Sequence, residues 1–296
     1  MFRPLTAGNK HPLYPAAMNI LTKIADVQTA VNAHRNDGQS LGFVPTMGAL
    51  HEGHISLLRR SVAENDISIC SIFVNPIQFD KPGDLEKYPR KLERDFEMLE
   101  SGGCHLVFAP PVEEMYPEKP GERYHFGALE EVMEGRHRPG HFNGVAVVVK
   151  RLFDICRPHK AYFGEKDFQQ LMIIQELVKK ENLPVEIVPC PIIREADGLA
   201  MSSRNARLTK EERAIAPVIF NTLTFIREHA RKMEIGNLLE QARKKLLAYP
   251  GISVEYILVA DEITLQPVRT WQEGGHLRAF VALFLGNIRL IDNMEL

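Results

Sequence analysis

Short apolar runs alternate with amphipathic stretches from residue 20 to residue 191. The apolar runs are rich in β-branched and aromatic residues, which suits strands buried on both faces. The predicted strands are residues 41–44, 67–74, 106–108, 161–163 and 185–190. The predicted helices are residues 25–35, 55–65, 85–101, 145–156 and 168–182. This alternation predicts an α/β fold in which helices cover both faces of a parallel sheet.

The pattern changes after residue 193. A polar stretch at 194–207 is followed by two helical patterns, at 209–232 and 237–248, and by two apolar runs typical of strands, at 254–259 and 279–285. We therefore expect a smaller α+β domain at 193–296, after a sheet domain at 18–192. Residues 1–17 contain three prolines, which exclude a regular helix, so a loose N-terminal extension is expected.

Composition limits the class of protein. The 296 residues are 45% hydrophobic, which is ample for a sizeable core. The net charge of −2 gives no indication of a nucleic-acid or membrane-surface partner. No apolar run approaches the roughly 20 residues of a membrane helix, and no secretory signal is recognisable, so a cytoplasmic location is expected. Four widely spaced cysteines are interpreted as reduced core thiols.

The segment from Pro45 to His54 places two imidazoles where the first long strand turns into a helix. We expect His51 and His54 in the first helical turn, where unpaired backbone N–H groups and the helix dipole favour an anion. Gly53 between them leaves that face open. The alternative is a capped helix with two ordinary surface histidines, which this four-residue pattern does not exclude.

Three further polar loops follow predicted strands, and ligands bind at the carboxyl ends of the strands in open parallel sheets. Lys166 could neutralise a phosphate, or simply pair with Glu165 or Asp167 on the surface. The segment 201–204 offers hydroxyl groups and a guanidinium to phosphate oxygens, or caps the next helix. In 73–79, two amides lie beside an apolar wall, although Asn-Pro is also a common turn.

Several common nucleotide and metal motifs are missing from the sequence. It contains no GxxxxGK[ST], no GxGxxG and no HExxH. This counts against a P-loop NTPase and against NAD-dependent oxidoreduction. The remaining option is a histidine-signature site at which the α-phosphorus of a nucleotide is attacked and pyrophosphate leaves.

The HxGH turn and the late serine-rich basic loop resemble the nucleotidylyltransferase superfamily. Other segments narrow the resemblance to the pantothenate synthetase (pantoate–β-alanine ligase) family. In order over residues 43–205, these are PTMGALHEGH, SIFVNPIQF, DLEKYPR, RPGHFNGV, FGEKDFQQL and DGLAMSSRN, and LIDN follows at 290–293.

This resemblance implies a Rossmann-like domain and ATP-dependent amide formation in two steps. Pantoate and ATP give pantoyl adenylate and pyrophosphate, and the amine of β-alanine then releases AMP and pantothenate. The family also implies a homodimer through the N-terminal domain. The expected partners are small molecules, with ATP as substrate and Mg²⁺ as its companion ion.

The resemblance also implies roles for individual residues. Gln78 and Gln170 would hold pantoate, with Gln78 also near β-alanine. The implied ATP-binding residues are Met47, Gly48, Ala49, Leu50, His51, Glu52, Gly53, His54, Gly164, Glu165, Lys166, Asp167, Ile193, Met201, Ser202, Ser203 and Arg204.

Four of these residues carry the expected catalysis by stabilising charge on the phosphates: His51, His54, Lys166 and Arg204. By family convention His54 is a proton donor. The helix dipole disfavours its imidazolium form, but we expect a bound triphosphate to raise the pKa more strongly. No metal site is predicted; Asp95 and Glu93 are candidates that a solvated helix face explains equally well.

Two other functions remain open on the residues alone. A cytidylyl- or adenylyltransferase acting on a phosphorylated alcohol would share the HxGH motif but would need a cationic acceptor pocket. The amides of Gln78 and Gln170 beside Phe73 and Val74 favour a small branched hydroxy acid instead. The second alternative is a catalytically silent nucleotide sensor or an RNA-binding module. The net negative charge of the chain counts against RNA binding.

Overall fold

The computed structural model describes residues 18–79, 82–86, 88–271 and 274–296. The expected loose extension at 1–17 lies outside these residues. Within the described part of the chain, no helix is long and apolar enough to cross a membrane.

A six-stranded parallel sheet forms the first layer of the fold, in the strand order β1-β4-β3-β2-β5-β6. Its strands are β1 (Asn19–Leu21), β2 (Leu41–Thr46), β3 (Ile67–Ile72), β4 (Leu106–Phe108), β5 (Lys160–Gly164) and β6 (Glu186–Cys190). The predicted parallel sheet is confirmed. The pattern missed β1, because three residues on a partly exposed edge strand give no measurable alternation.

Eight helices accompany this sheet in the described residues. They are α1 (Ile24–Asn36), α2 (Glu52–Glu64), α3 (Pro82–Glu86), α4 (Leu92–Ser101), α5 (Val112–Met115), α6 (Met133–His137), α7 (His141–Cys156) and α8 (Phe168–Lys180). The prediction of one helix over 85–101 was wrong at its start, because α4 begins only at Leu92. Pro89 lies between α3 and α4, and proline does not fit a helix interior.

An antiparallel sheet in the order β7-β8-β9 forms the C-terminal region with three helices. These elements are α9 (Lys210–Ile215), α10 (Val218–His229), α11 (Ile235–Leu247), β7 (Ile252–Asp261), β8 (Leu277–Leu285) and β9 (Ile288–Glu295). The predicted helix 209–232 is interrupted at Pro217. The pattern missed β9, whose apolar alternation is broken by Asp292 and Asn293, two buried polar residues.

Apolar clusters fill both faces of the large sheet. One face packs on α7 and α8, and the other packs on α2 and α4. A further cluster lies between α10, α11 and the antiparallel sheet. All four cysteines are buried free thiols, as the sequence predicted, and burial raises the pKa of Cys104 to about 12.

A buried ion pair joins the C-terminal sheet to α6. Arg289 of β9 donates to both carboxylate oxygens of Glu134, at 2.7 and 2.6 Å, and it also contacts Glu255 of β7. Burial would raise the pKa of Glu134, but its hydrogen bonds and ion pair with Arg289 outweigh this and lower it to about 2. The carboxylate is therefore ionised against its partner at neutral pH.

Candidate active site

The loop between β2 and α2 is held by one carboxylate. Gly48 and Ala49 adopt positive φ angles of 76° and 51°, which turn the chain sharply after the strand. The backbone N–H groups of Ala49 and Leu50 donate to the two oxygens of Asp95, at 2.9 and 2.8 Å. Asp95 is 1% exposed. The alternative that Asp95 lies on a solvated helix face was therefore wrong, and its two oxygens are engaged by the backbone of this loop. The other residue considered for magnesium, Glu93, is exposed on α4.

His51 and His54 cap α2 reciprocally. Nδ1 of His51 accepts from the N–H of Gly53 at 3.2 Å, and Nδ1 of His54 accepts from the N–H of His51 at 3.3 Å. The prediction that both lie in the first turn was wrong for His51, which is the N-cap residue. Backbone N–H groups expected to be free for an anion are thus bound to the imidazoles. Each neutral ring keeps its proton on Nε2, where it can donate to a ligand.

The two rings are close together, with centroids 4.1 Å apart. Gly53 allows this, because a Cβ there would lie 2.8 Å from Cε1 of His51. The pKa of each imidazole is lowered, to about 4 for His51 and to about 3 for His54, and burial is the largest cause in both cases. The positive charge of Lys166 adds to both shifts. Both histidines are therefore neutral at pH 7 in the ligand-free site.

Lys166 and Arg204 reach the site from two other loops. Lys166 lies in a 3-10 turn directly after β5, with Nζ 3.9 Å from Oδ2 of Asp167. Arg204 follows Ser202, whose hydroxyl accepts from the backbone N–H of Arg204 at 3.3 Å. Burial raises the pKa of Tyr88, and the neighbouring Ser203 and Arg204 offset part of that rise. Tyr88 and the loop of Ser203 and Arg204 therefore face the same part of the cleft.

A cleft of about 250 Å³ brings most of the predicted residues together. The predicted residues that line it are Met47, His51, Gly53, His54, Gln78, Gly164, Lys166, Asp167, Gln170, Ile193, Met201, Ser202, Ser203 and Arg204. Five predicted ATP-binding residues lie outside this lining: Gly48, Ala49, Leu50, Glu52 and Glu165. Ala49 and Leu50 shape the loop through Asp95, and Glu52 pairs with Arg59 on the surface.

Gln78 is fixed by a buried neighbour. Nδ2 of Asn75 donates to Oε1 of Gln78 at 3.0 Å and to the carbonyl of Gly144, also at 3.0 Å. Nε2 of Gln78 points to the sulfur of Met47, at 2.9 Å. Phe73 lines this end of the cleft as predicted, but Val74 does not. The rest of the apolar wall comes from α7: Val145, Val148, Val149 and Leu152.

Three further polar residues line the cleft: Tyr88, Arg138 and His141. Sequence reasoning named none of them as a site residue by itself, but it interpreted the glycine-rich, locally basic segment 135–144, which contains Arg138 and His141, as either a cover for an anionic ligand or a flexible surface crossover. Nδ1 of His141 donates to the carbonyl of Gln78 at 2.9 Å, and Nε2 lies 3.0 Å from Nη1 of Arg138. Burial, followed by the charge of Arg138, lowers the pKa of His141 to about 4. The sequence signal that points to these three residues is the pair of family motifs DLEKYPR and RPGHFNGV, which contain them.

A family model for pantoate-beta-alanine ligase matches residues 19–295. The chain is 47% identical over 278 residues to pantothenate synthetase of Bacteroides fragilis, a match covering 94% of this chain and 99% of the relative. It is 49% identical over 278 residues to pantothenate synthetase of Porphyromonas gingivalis, with the same coverage.

Two solved structures are similar over nearly the whole chain. Pantothenate synthetase from Thermus thermophilus has a TM-score of 0.88 and 43% identity, covering 94% of this chain and 99% of that one. Pantoate-beta-alanine ligase from Francisella tularensis, complexed with beta-gamma ATP and beta-alanine, has a TM-score of 0.79 and 36% identity. That match covers 94% of this chain and 98% of the other.

Gly53→Ala tests the crowding between Gly53 and His51. The added Cβ must displace the His51 ring, so we expect roughly tenfold weaker binding of an ATP analogue, measured by calorimetry. Stability should change little, because the higher helix propensity of alanine offsets the weakened cap hydrogen bond of His51, each worth about 1 kcal/mol. Gly236→Ala on α11 is the matched control, since nothing lies within 4 Å of its Cβ position. Unchanged affinity in Gly53→Ala would contradict the proposed packing.

The lowered pKa of His54 predicts a pH dependence of stability. The unfolded chain binds a proton below pH 6.5, whereas the folded ring stays neutral down to about pH 3. Stability is therefore fully present above pH 6.5 and declines as the pH falls. At pH 5 a group with this shift lowers the free energy of unfolding by up to about 2 kcal/mol relative to pH 7.

Denaturant unfolding at pH 7 and pH 5 measures this loss. His54→Gln should reduce it, and glutamine at this position can still accept the capping hydrogen bond. His125→Gln is the matched control, because the side chain of His125 is 82% exposed. Equal pH dependence in His54→Gln and the unmodified chain would show that His54 does not titrate as expected.

Proposed function

The chain belongs to the pantoate-beta-alanine ligase family, and on that premise we propose that its cleft condenses pantoate with β-alanine using ATP. The reaction passes through pantoyl adenylate and releases AMP and pyrophosphate. The observation that carries this proposal is the convergence of His51, His54, Lys166 and Arg204 on one cleft.

In the first step, a carboxylate oxygen of pantoate bonds to the α-phosphorus of ATP and the bond to pyrophosphate breaks. Charge accumulates on the phosphate oxygens, so the site mainly has to supply positive charge and hydrogen-bond donors. Lys166 and Arg204 supply the charge. His51 and His54 donate through Nε2–H, while their Nδ1 atoms hold the helix cap.

Neutral histidines are sufficient for this role. An imidazolium at His54 would carry a proton on Nδ1 and would lose the hydrogen bond from the backbone of His51. A bound triphosphate would also have to raise its pKa from about 3. We therefore favour donation from the neutral ring over the proton-donor role that the family convention gives His54.

Pantoate occupies the end of the cleft formed by Gln78, Gln170 and Phe73 with the apolar face of α7. The amides suit its hydroxyl and carboxylate groups, and the apolar wall suits its branched carbon skeleton. In the second step, the amine of β-alanine attacks the acyl carbon, AMP leaves, and the nitrogen loses a proton. By the family resemblance, Gln78 would also lie near this amine.

Pantoyl adenylate hydrolyses readily, so water has to be kept out until the amine arrives. We propose that residues 193–296 form a lid domain and that its serine loop, Met201 to Arg204, closes over the nucleotide. Asp197 and Gly198 form a tight turn at the root of that loop, from which residues 201–204 would close.

We propose that Mg²⁺ binds together with ATP. Asp167 is the only carboxylate among the described residues that line the cleft, and Mg²⁺ in nucleotide sites is commonly held by one or two carboxylates together with phosphates and water. The residues thus fit a phosphate-bound ion, with Asp167 as the available protein ligand. When bound, Mg²⁺ would supply further positive charge to the triphosphate.

We also propose a cytoplasmic location and a homodimer formed through the N-terminal domain. The homodimer follows from the family resemblance. Light scattering of the purified chain should give twice the monomer mass of 33.6 kDa. A mass of one chain at micromolar concentration would contradict the dimer.

Pantoate-dependent exchange of pyrophosphate into ATP tests the first step directly. Lys166→Ala and His54→Ala should each slow this exchange by about 10² to 10³-fold, because each removes a donor to the phosphates. Lys179→Ala is the matched control, since Lys179 is exposed at the end of α8. Circular dichroism should show an unchanged fold. Full exchange in Lys166→Ala or His54→Ala would refute the assigned roles.

A further inference from the structure

The LIDN segment near the C-terminus has no part in the chemistry described above, yet it holds two buried polar residues. Asp292 and Asn293 are 3% and 2% exposed, and both lie on β9. Buried polar groups are costly unless their hydrogen bonds are made, so the partners of these side chains show what they do.

Asn293 holds the backbone around Lys166. Its Nδ2 donates to the carbonyl of Glu165 at 2.9 Å and to that of Lys166 at 3.0 Å. Its Oδ1 accepts from Nη1 of Arg278 at 2.8 Å, and that guanidinium lies 4.1 Å from the ring centre of Phe168, the first residue of α8. Both N–H donors of this amide therefore hold the turn that carries Lys166, and its oxygen is held by Arg278.

Asp292 holds the root of the serine loop. Its two oxygens accept from Nη1 and Nη2 of Arg194, at 2.7 and 3.0 Å. Nη1 of Arg194 also donates to the carbonyl of Gly198 at 3.0 Å, and Arg194 forms a β-bridge with Ala200. The next residue, Met201, begins the segment that lines the cleft. The charge pair thus fixes the base of the loop that carries Arg204.

Two neighbouring residues on one strand therefore hold two separate loops of the cleft. We propose that Asn293 and Asp292 are positioning residues, which set Lys166 and the serine loop at the spacing needed to contact one triphosphate. This inference rests on the proposed function, because it assigns the held loops to the adenylation step. It also makes β9 a direct support of the catalytic groups.

A double-mutant cycle separates positioning from general stabilisation. Asn293→Asp keeps the size and the oxygen that faces Arg278 but removes both N–H donors to the Lys166 turn. We expect pantoate-dependent pyrophosphate exchange to slow by about 10 to 100-fold, since a displacement of about 1 Å has that effect. Because Asn293 acts through Lys166, Asn293→Asp should add no more than about threefold to the loss in Lys166→Ala.

Asp292→Asn combined with Arg204→Ala forms a second cycle for the serine loop. Val254→Ala on β7 is the control: it removes buried apolar atoms from the same sheet, and its effect should be small and should multiply with that of Lys166→Ala. If Asn293→Asp does not fold, Asn293→Ala enters the same cycle at lower temperature, with circular dichroism as the check.

The outcomes are distinct. If the fold-losses in exchange rate of the single variants do not multiply in the double variants of the two cycles, the positioning role is supported. Multiplicative losses, or normal exchange in Asn293→Asp, overturn it while the proposed function stands. Absence of pantoate-dependent exchange in the unmodified chain would instead overturn the proposed function itself.

Discussion

The reciprocal cap at the start of α2 is the interaction on which the site depends. The Nδ1 atoms of His51 and His54 accept backbone N–H groups that a helix N-terminus otherwise leaves unpaired. The same hydrogen bonds fix both rings and leave the Nε2 protons for a ligand. Asp95 completes the arrangement by binding the two N–H groups just before the cap. In the proposed function, the residues that cap this helix are therefore also the ones that recognise the phosphates.

Electrostatics at the site follow from this packing. Partly buried rings beside Lys166 stay neutral, so His51, His54, Lys166 and Arg204 together provide two strong cations and two neutral donors rather than four like charges. This arrangement limits the electrostatic repulsion among the four side chains. It still presents several donors to a triphosphate, whose own negative charge offsets the remaining positive charge. The support from β9 adds rigidity to the loops that carry the cations.

Much of this could be predicted from the sequence, and the exceptions have physical causes. Strong apolar runs gave five of the six parallel strands, because strands buried on both faces need continuous hydrophobicity. Edge strand β1 and strand β9 were missed, since exposure and buried polar residues weaken that signal. The motifs and their order along the chain predicted many of the residues that line the cleft. They could not show that Asp95 binds backbone N–H groups, because that contact joins segments about 45 residues apart. Nor could they show that His51 is the cap, because that depends on the orientation of the imidazole ring rather than on residue spacing.

The central claim is that His51, His54, Lys166 and Arg204 contact one bound triphosphate. A crystal structure of the chain with pantoate and an ATP analogue that cannot be cleaved between the α- and β-phosphates measures this most directly. We expect both Nε2 atoms, Nζ of Lys166 and the guanidinium of Arg204 within about 3 Å of phosphate oxygens. Phosphates bound elsewhere, or in contact with only some of these four side chains, would contradict the claim.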